Sequence, residues 1–328
     1  KVEKLIDTVK ICDPAIGSGA FPMGLLQEIF ALKAVIHFEL DRSIHLWKPA
    51  VIKQEIIQNS IYGVDLESDA VDIARLRFWL SLVVDEDTPK PLPNLDFKIV
   101  HGNSILSRFN IKDPIDNVFK DLNLKRKKEK KETIDIEEYK NLMKQYLNAT
   151  DPIQKTTYKN LIIDIKSAFS YNLNNKEKNN ISIARGKYEN LIGNNLFGER
   201  KSNAKELSDA KKRLEFLEIQ RSEKENGKLF DEAFEWRFEF PDILNENGDF
   251  IGFDILIGNP PYVSAVNMKR TDLEKNEYKK QFPEATGSYD LYLLFLLKGE
   301  ELMKENGIYT WIIPNKFLIS NYSKKTKE

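Results

Sequence analysis

Short apolar runs alternate with longer stretches of helical periodicity over the first third of the chain. The runs TVKICDPA, SIYGVDLE and DFKIVHGNSIL are bounded by polar or turn residues, which is typical of buried strands. Between them, FPMGLLQEIFALKAVIHFEL and SDAVDIARLRFWLSLVV carry apolar residues at helical spacing. This β-α-β-α-β order predicts parallel strands joined by right-handed crossovers.

The same alternation returns near residue 250. FIGFDILIGNPPY and GIYTWIIPNKFLI are predicted strands, and an apolar helix, SYDLYLLFLLKGEELMKEN, lies between them. We expect both regions to contribute to one sheet. The predicted fold is α/β: a Rossmann-like sheet with helices on both faces, interrupted by a mainly helical insertion. The predicted division of the chain is 1–108, 109–230 and 231–328.

The predicted insertion is rich in Lys, Glu and Asn and has almost no strand pattern. Asp151 is a candidate helix N-cap, with Pro152 at the first helical position. ELSDAKKRLEFLEI has apolar residues at heptad spacing, which predicts a helical hairpin packed on itself or on the core. The charge run LKRKKEKKE fits a solvated surface or, alternatively, a contact with phosphates. We expect the insertion to have a packing role; the alternative is a contact with a nucleic acid, a partner or further domains.

Composition narrows the class of protein. The 328 residues are 41% hydrophobic and 31% charged, with a formal net charge of −1, which excludes a uniformly basic nucleic-acid coat. The single cysteine, Cys12, excludes a disulfide framework, and three scattered histidines predict no metal site. No uninterrupted apolar run approaches the roughly 18 residues of a membrane span, and the N-terminus lacks a signal-peptide pattern. We therefore expect a soluble, cytoplasmic protein.

The first predicted strand ends in residues suited to ligand binding. In an open parallel sheet, ligands bind beyond the carboxyl ends of the strands. The strand runs into DPAIGSGAF, where Gly17 and Gly19 lack Cβ and let the backbone approach a ligand. Asp13 can accept hydrogen bonds from a ligand amino group or fix the loop. A tight strand-to-helix turn would also use glycine, and the loop differs from the three-glycine dinucleotide fingerprint.

The next two strand ends carry a carboxylate and an amide. Asp65 can accept from both hydroxyls of a ribose, and Leu66 can lie against an adenine ring. A helix cap is the alternative for this acid, although Asp69 suits that role better. The Asn103 amide can accept from an exocyclic amine and donate to a ring nitrogen, or serve as a turn residue. The three ends together describe a pocket for a nucleoside with an amino-acid tail and no phosphates.

At this point the chain resembles a known family. Four motifs, in this order, resemble those of S-adenosylmethionine-dependent DNA adenine-N6 methyltransferases, and more narrowly the methyltransferase part of type IIG restriction-modification enzymes: DPAIGSGAF, GVDLESDAVDIARLR, GNSI and FDILIGNPPYV. Three further stretches strengthen the resemblance: FEWRFEFPDIL, GSYDLYLLFLLKGEELMKENG and WIIPNKFL. The resemblance implies S-adenosyl-L-methionine as cofactor and double-stranded DNA as substrate. The cofactor site it implies consists of Asp13, Ala15, Gly17, Gly19, Phe21, Asp65, Leu66, Asn103 and Ser104.

The tetrapeptide Asn-Pro-Pro-Tyr after the fourth predicted strand suits methylation of adenine N6, whose lone pair is delocalised into the ring. The side-chain oxygen of Asn259 and the backbone carbonyl of Pro260 can accept the two amino hydrogens and localise that lone pair. Pro260 and Pro261 restrict φ, so both acceptors are held in place beforehand. Tyr262 would stack on a base that has left the duplex. A rigid turn explains the prolines but not the flanking amide and aromatic ring.

The implied reaction is an in-line displacement at the sulfonium methyl group. Alignment and electrostatic placement are its main requirements, so we assign no general base and no metal. The resemblance further implies that Asp290 and Tyr292 help to shape the cofactor pocket. It also implies that Asn315, Lys316 and Phe317 lie on the target-base side and approach the DNA.

Part of the family pattern has no counterpart in this sequence. Only twelve residues precede Asp13, and the chain ends soon after PNKFL. We therefore expect a fragment of a longer protein, without the upstream cofactor-contacting segment and the DNA-recognition domain of the family. We find no persuasive nuclease motif. A restriction or specificity domain, or a separate subunit, is an expected partner.

Two alternatives stay open. Methyltransferases that act on a protein glutamine or on a ribosomal RNA guanine also place NPPY after a glycine-rich loop, and the stretches FEWRFEFPDIL and DLYLLFLLKGEELM favour DNA over those substrates. The other alternative is a non-catalytic scaffold or DNA-binding subunit. A measurement of cofactor binding distinguishes such a subunit from an enzyme, because a subunit whose pocket has decayed would not bind the cofactor.

Overall fold

The computed structural model describes residues 2–40, 42–86, 93–149, 151–168, 175–192, 204–225, 230, 232–264 and 272–319. The strands are β1 (Ile11–Asp13), β2 (Ile61–Asp65), β3 (Ile99–His101), β4 (Phe253–Gly258) and β5 (Met303–Trp311). The helices that precede β4 are α1 (Val2–Thr8), α2 (Ala20–Glu39), α3 (Pro49–Ser60), α4 (Ser68–Val83), α5 (Ile115–Lys128), α6 (Ile136–Asn148), α7 (Pro152–Ala168), α8 (Asn175–Ile192), α9 (Ala204–Glu225) and α10 (Trp236–Glu239). Those that follow β4 are α11 (Asp272–Gln281), α12 (Tyr292–Leu302) and α13 (Lys316–Ile319).

The strands form one parallel sheet in the order β3-β2-β1-β4-β5. Ile11 at the start of β1 pairs with Ile61 on one side and Ile255 on the other. The chain progresses outward from β1 to β3 in one direction and from β4 to β5 in the other. The strand order therefore reverses between β1 and β4, where open α/β sheets bind ligands. The predicted Rossmann-like α/β fold, with both halves of the chain in one sheet, is confirmed.

Apolar side chains cover both faces of the sheet because successive residues of a strand point to opposite faces. Ile11 and Ile61 belong to a buried cluster that also contains apolar residues of α2, α3 and α4. Cys12 and Tyr62, their neighbours along the strands, belong to the cluster on the opposite face. This alternation explains why the strands appear in the sequence as continuous apolar runs.

The stretch FEWRFEFPDIL fills the second cluster. The rings of Phe234, Trp236 and Phe240 contact one another and, in part, Phe253 of β4, with ring centroids 4.8 to 6.2 Å apart. The indole Nε1–H of Trp236 donates to the carbonyl oxygen of Ser104 at 3.0 Å. This stretch is therefore core, and it supports the loop that follows β3.

The structure divides into two compact units: Lys1–Lys166 with Glu232–Glu328, and Ser167–Asp231. Helices α5 and α6 belong to the unit that contains the sheet, where the Tyr139 hydroxyl donates to the carbonyl oxygen of Phe238 at 2.8 Å. This division differs from the predicted 109–230 boundary, because residues 109–166 pack within the sheet unit. The three-part division by function stays a prediction.

Two features predicted for the helical insertion are present in the structure: the N-cap of α7 and the hairpin formed by α8 and α9. The Asp151 carboxylate accepts from the backbone N–H groups of Ile153 and Gln154, so the predicted cap of α7 is confirmed. Helices α8 and α9 contact each other as the predicted hairpin. An ion pair between Arg185 and Glu218, 2.7 Å apart, joins them.

Helix α2 is, among the described residues, the one helix long and apolar enough to cross a membrane by length and composition. The uninterrupted runs of the sequence had predicted no such segment. Leu26 and Ile29 of this helix are buried in the cluster against the sheet. The helix therefore forms part of the layer that covers one face of the sheet.

Candidate active site

The glycine loop follows β1 in left-handed backbone conformations. Gly17 has φ of +53° and Gly19 of +86°, a region that residues with a side chain rarely adopt. A Cβ on Gly19, which precedes α2, would lie 3.1 Å from the Cβ of Ala74 in α4. The two glycines thus let the loop turn sharply and α2 pack closely on α4.

Asp13 is buried at the carboxyl end of β1. Its Oδ1 accepts the backbone N–H of Ala15 at 3.0 Å, which shapes the first turn of the loop. Burial raises the pKa of Asp13 to about 7; the N–H of Ala15 opposes this shift, and the nearby charge of Asp65 adds to it. A cation bound next to this carboxyl would compensate for the cost of burying its charge.

Asp65 joins two loops at the end of β2. One carboxylate oxygen accepts the N–H of Gly17 at 2.8 Å, and the other accepts the N–H of Glu67 at 3.0 Å. A carboxylate has about four acceptor positions, so capacity for a ligand hydroxyl remains. Glu67 is the N-cap residue of α4 and makes no side-chain cap. The sequence offers Ser68 or Asp69 as the cap of this helix, and both predictions were wrong, because the helix already begins at Ser68.

The loop after β3 is tied to the loop after β1. The Ser104 hydroxyl donates to the carbonyl oxygen of Pro14 at 2.7 Å. The Asn103 side-chain Nδ2 donates to the hydroxyl of Tyr278 at 2.8 Å, and its Oδ1 accepts the N–H of Ile105 at 3.3 Å. Both side chains are thereby fixed at the edge of the sheet.

A cavity of about 90 Å³ lies where these loops meet. The predicted cofactor residues that line it are Ala15, Asp65, Leu66, Asn103 and Ser104. Asp13 is hydrogen-bonded to Ala15, and Gly17 is hydrogen-bonded to Asp65. Phe21, in the first turn of α2, is not among the described residues that line the cavity. The structure thus brings three strand ends together, as predicted.

Residues from the second half of the chain complete the cavity. Pro261, Tyr278, Leu291 and Phe295 line it, and the sequence did not single out the last three. Leu291 and Phe295 are four residues apart at the start of α12, a spacing that places them on one side of a helix. The first six residues of the helix, YLLFLL, are aromatic or aliphatic on every side, so periodicity could not separate these two from the core.

Gly258 lets β4 pass close to β1 immediately before the NPPY loop. A Cβ at this position would lie 3.0 Å from Oδ1 of Asp13 and 2.8 Å from the ring of Trp311. Beyond the loop, the N–H of Leu291 donates to the carbonyl oxygen of Val263 at 2.7 Å. The NPPY loop thus lies between Asp13 at the end of β1 and Leu291 at the start of α12.

The Tyr262 hydroxyl holds the amide of Asn259. It lies 2.5 Å from Oδ1 of Asn259 and 2.7 Å from the carbonyl oxygen of Ile312. A hydroxyl has one proton, and the carbonyl of Ile312 can only accept it. The side-chain oxygen of Asn259 is the other acceptor that faces this hydroxyl. An amide oxygen has two lone pairs, so Asn259 keeps an acceptor position for a substrate amine.

An aromatic row extends from the NPPY loop to α13, the short helix after β5. The Tyr262 ring contacts Tyr292, and Tyr292 contacts Phe317, with centroids 6.2 and 6.3 Å apart. Lys316 Nζ donates to Asp290 at 3.2 Å. The predicted target-base residues therefore lie together, with Asn315 exposed beside them. Tyr262 is 48% exposed, which leaves its ring accessible to a base.

Replacing Gly258 with alanine is expected to lower the free energy of unfolding by about 1–3 kcal/mol, because the buried Asp13 cannot move away from the added methyl group. The measurement is urea unfolding followed by circular dichroism. Gly24→Ala is the matched control, since a Cβ there meets nothing within 4 Å. It is expected to stabilise α2 by about 0.5–1 kcal/mol. Equal effects of the two substitutions would contradict the close approach of β4 and β1.

Comparison with known proteins identifies relatives of the chain. The family model described as Eco57I restriction-modification methylase matches residues 59–216 and 195–328. A putative type II restriction enzyme and methyltransferase of Methanocaldococcus jannaschii, RM.MjaORFECS2P, is 28% identical over 95% of this chain and 26% of its own length. The Escherichia coli type II restriction enzyme and methyltransferase RM.Eco57I is 32% identical over 23% of this chain and 8% of its own. The Acinetobacter calcoaceticus type II methyltransferase M.AccI is 35% identical over 23% of this chain and 14% of its own length. The chain spans about a quarter or less of the length of these relatives.

Proposed function

Since the chain belongs to the Eco57I restriction-modification methylase family, we propose that it transfers a methyl group from S-adenosyl-L-methionine to N6 of a flipped-out adenine in DNA. The observation that carries this proposal is the position of the NPPY loop. Pro261 lines the same cavity as Asp65 and Asn103, where the strand order reverses between β1 and β4. A methyl donor in this cavity would therefore lie next to the amide of Asn259.

The cavity of about 90 Å³ encloses part of a molecule of the size of S-adenosyl-L-methionine, and the residues in and around it offer a partner to each part of the proposed cofactor. Asp65 would accept from the ribose hydroxyls, and Leu66 and Phe295 offer apolar surface to the purine. The Asn103 amide would bond to the purine edge, and Asp13 would pair with the amino group of the methionine end. When bound, the cofactor supplies an electrophilic methyl group on sulfur.

The NPPY loop would bind the target base. The side-chain oxygen of Asn259 and the carbonyl of Pro260 accept the amino hydrogens and localise the nitrogen lone pair toward the methyl group. Stacking on Tyr262 contributes about 1–3 kcal/mol to holding the extruded base, which offsets part of the cost of leaving the duplex. The proton released from N6 leaves through these acceptors or through water.

The wider setting follows from the relatives. Two of them are named as both restriction enzyme and methyltransferase, so we propose a restriction-modification system with a nuclease or specificity domain or subunit as partner. Within this chain, residues 1–108 form the cofactor side and residues 231–328 the NPPY side. Action on intracellular DNA places the protein in the cytoplasm.

The affinity for the cofactor is expected to rise with pH through neutrality. The pKa of Asp13 is raised to about 7, mainly by burial, and only the ionised carboxyl can pair with a ligand ammonium. The dissociation constant of S-adenosylhomocysteine, the demethylated product, should fall about tenfold between about pH 6 and about pH 8. Calorimetry at several pH values measures it. Asp13→Asn, which cannot ionise, should remove this dependence, and persistence of the full dependence in this variant would contradict the assignment.

Methyl transfer to long genomic DNA tests the function. Labelled S-adenosylmethionine is incubated with the chain and with DNA, release factor or ribosomal RNA, and the products are identified by mass spectrometry. The proposal predicts N6-methyladenine in the DNA. Label in cytosine, or only in the release factor or the RNA, would contradict it and identify the other acceptor. Binding of the cofactor without transfer to any acceptor would favour a non-catalytic subunit.

A further inference from the structure

The amide of Asn103 is held from two sides inside the cavity. Its Nδ2 donates to the Tyr278 hydroxyl at 2.8 Å, and its Oδ1 accepts the backbone N–H of Ile105 at 3.3 Å. Asn103 is 5% exposed and Tyr278 is 1% exposed, and both line the cavity. A backbone N–H can only donate, so the Ile105 bond requires the amide oxygen on its side. Tyr278 then engages the amide nitrogen.

The orientation of this amide determines which purine it can recognise. A 6-aminopurine presents an exocyclic donor next to a ring acceptor, whereas a 6-oxopurine presents an acceptor next to a ring N–H. An amide that turns freely by 180° matches either edge, because its oxygen and its nitrogen exchange places. An amide held in one orientation pairs with the edge of one purine. When the other purine binds, donor faces donor and acceptor faces acceptor, so these buried polar groups stay unpaired. Unpaired buried groups discriminate strongly between otherwise similar ligands.

Tyr278 is itself held in place by its helix. Gln281, three residues later in α11, makes two hydrogen bonds to the backbone of Ser107, in the loop after β3. Its Nε2 donates to the carbonyl oxygen of Ser107 at 2.9 Å, and its Oε1 accepts the Ser107 N–H at 3.3 Å. Helix α11 and the loop that carries Asn103 thus form a fixed pair.

We propose that Tyr278 is a positioning residue: the Ile105 N–H sets the orientation of the Asn103 amide, and the Tyr278 hydroxyl holds the amide there, which makes the cavity selective for a 6-aminopurine over a 6-oxopurine cofactor. The inference rests on the proposed function for the cavity itself. It adds a specificity role to a residue that no sequence motif indicated.

The test compares two ligands that differ only at the purine 6 position and its ring nitrogen: S-adenosylhomocysteine and S-inosylhomocysteine. Calorimetry gives both dissociation constants for the chain and for Tyr278→Phe. The preference for the adenosyl ligand is expected to fall at least about fivefold in the variant. Tyr139→Phe is the matched control, because it also loses a buried hydroxyl bond of 2.8 Å, but one to Phe238 away from the cavity. It should leave the preference unchanged.

A second variant removes the orientation problem. Asn103→Asp has two equivalent oxygens, so the preference of this variant for the adenosyl ligand should no longer depend on Tyr278→Phe. Thermal melting of each variant is followed in parallel. If Tyr278→Phe folds poorly, Asn103→Asp with Tyr278 intact decides the matter, because its preference for the adenosyl ligand should also fall.

Three outcomes would overturn the inference. Equal weakening of both ligands by Tyr278→Phe would show a purely structural role. Tighter binding of the adenosyl ligand would show that the Tyr278 hydroxyl obstructs the cavity. Failure of the unaltered chain to bind either ligand would overturn the proposed function and this inference with it, whereas the first two outcomes overturn the inference alone.

Discussion

Asn259→Ala is expected to lower the rate of methyl transfer by about 10²–10³-fold, because it removes an acceptor that acts on the reacting nitrogen. Asn259 is exposed at the end of β4, so the fold should be unaffected. The dissociation constant of S-adenosylhomocysteine should stay within about twofold of the unaltered chain, since the side chain lies outside the cofactor cavity. Single-turnover transfer to DNA and calorimetry measure the two quantities.

The matched control for this prediction is Asn148→Ala, which removes an exposed asparagine at the end of α6. It should change neither quantity. A rate within about threefold of the unaltered chain for Asn259→Ala would contradict the catalytic role. A loss of cofactor affinity equal to the loss of rate would assign the residue to cofactor binding instead.

Asp65→Ala is expected to raise the dissociation constant of S-adenosylhomocysteine by about 10²-fold or more. Hydrogen bonds to a charged group contribute about 1.5–3 kcal/mol each, and each 1.4 kcal/mol corresponds to about a tenfold change. The substitution also releases the N–H groups of Gly17 and Glu67, which loosens the glycine loop. Calorimetry measures the affinity, and thermal melting separates it from unfolding.

Asp69→Ala is the control for this acid. Asp69 lies exposed in the first turn of α4, four positions further along the chain, and carries the same charge. It should bind the ligand normally. A similar loss of affinity for the ligand in both variants would indicate a general electrostatic effect. Normal binding by Asp65→Ala would contradict a contact between Asp65 and the ribose.

The strand ends could be predicted because their signals are local. A buried parallel strand appears as a continuous apolar run, and a polar residue that ends it lies at the carboxyl edge of the sheet. Asp13, Asp65 and Asn103 were identified in this way, and the structure brings the loops that carry them together. Asn259 follows from the same rule at β4.

Other parts of the site depend on packing that a single sequence does not display. Tyr278 is one polar aromatic residue in a Lys- and Glu-rich helix, and its partner Asn103 lies far away in the chain. Leu291 is the N-cap residue of α12 and Phe295 lies in its first turn, where the sequence YLLFLL is aromatic or aliphatic on every side. The compact units divide after Lys166 rather than at residue 109, because α5 and α6, although highly charged, belong to the sheet unit, where aromatic residues such as Tyr139 pack.

A crystal structure of the chain with S-adenosylhomocysteine tests the central claim most directly, because it locates every part of the ligand at once. We expect the purine between Leu66 and Phe295, the ribose hydroxyls within hydrogen-bond distance of Asp65, and the sulfur facing Asn259. A ligand bound elsewhere, or one whose sulfur faces away from the NPPY loop, would contradict the proposed methyl transfer.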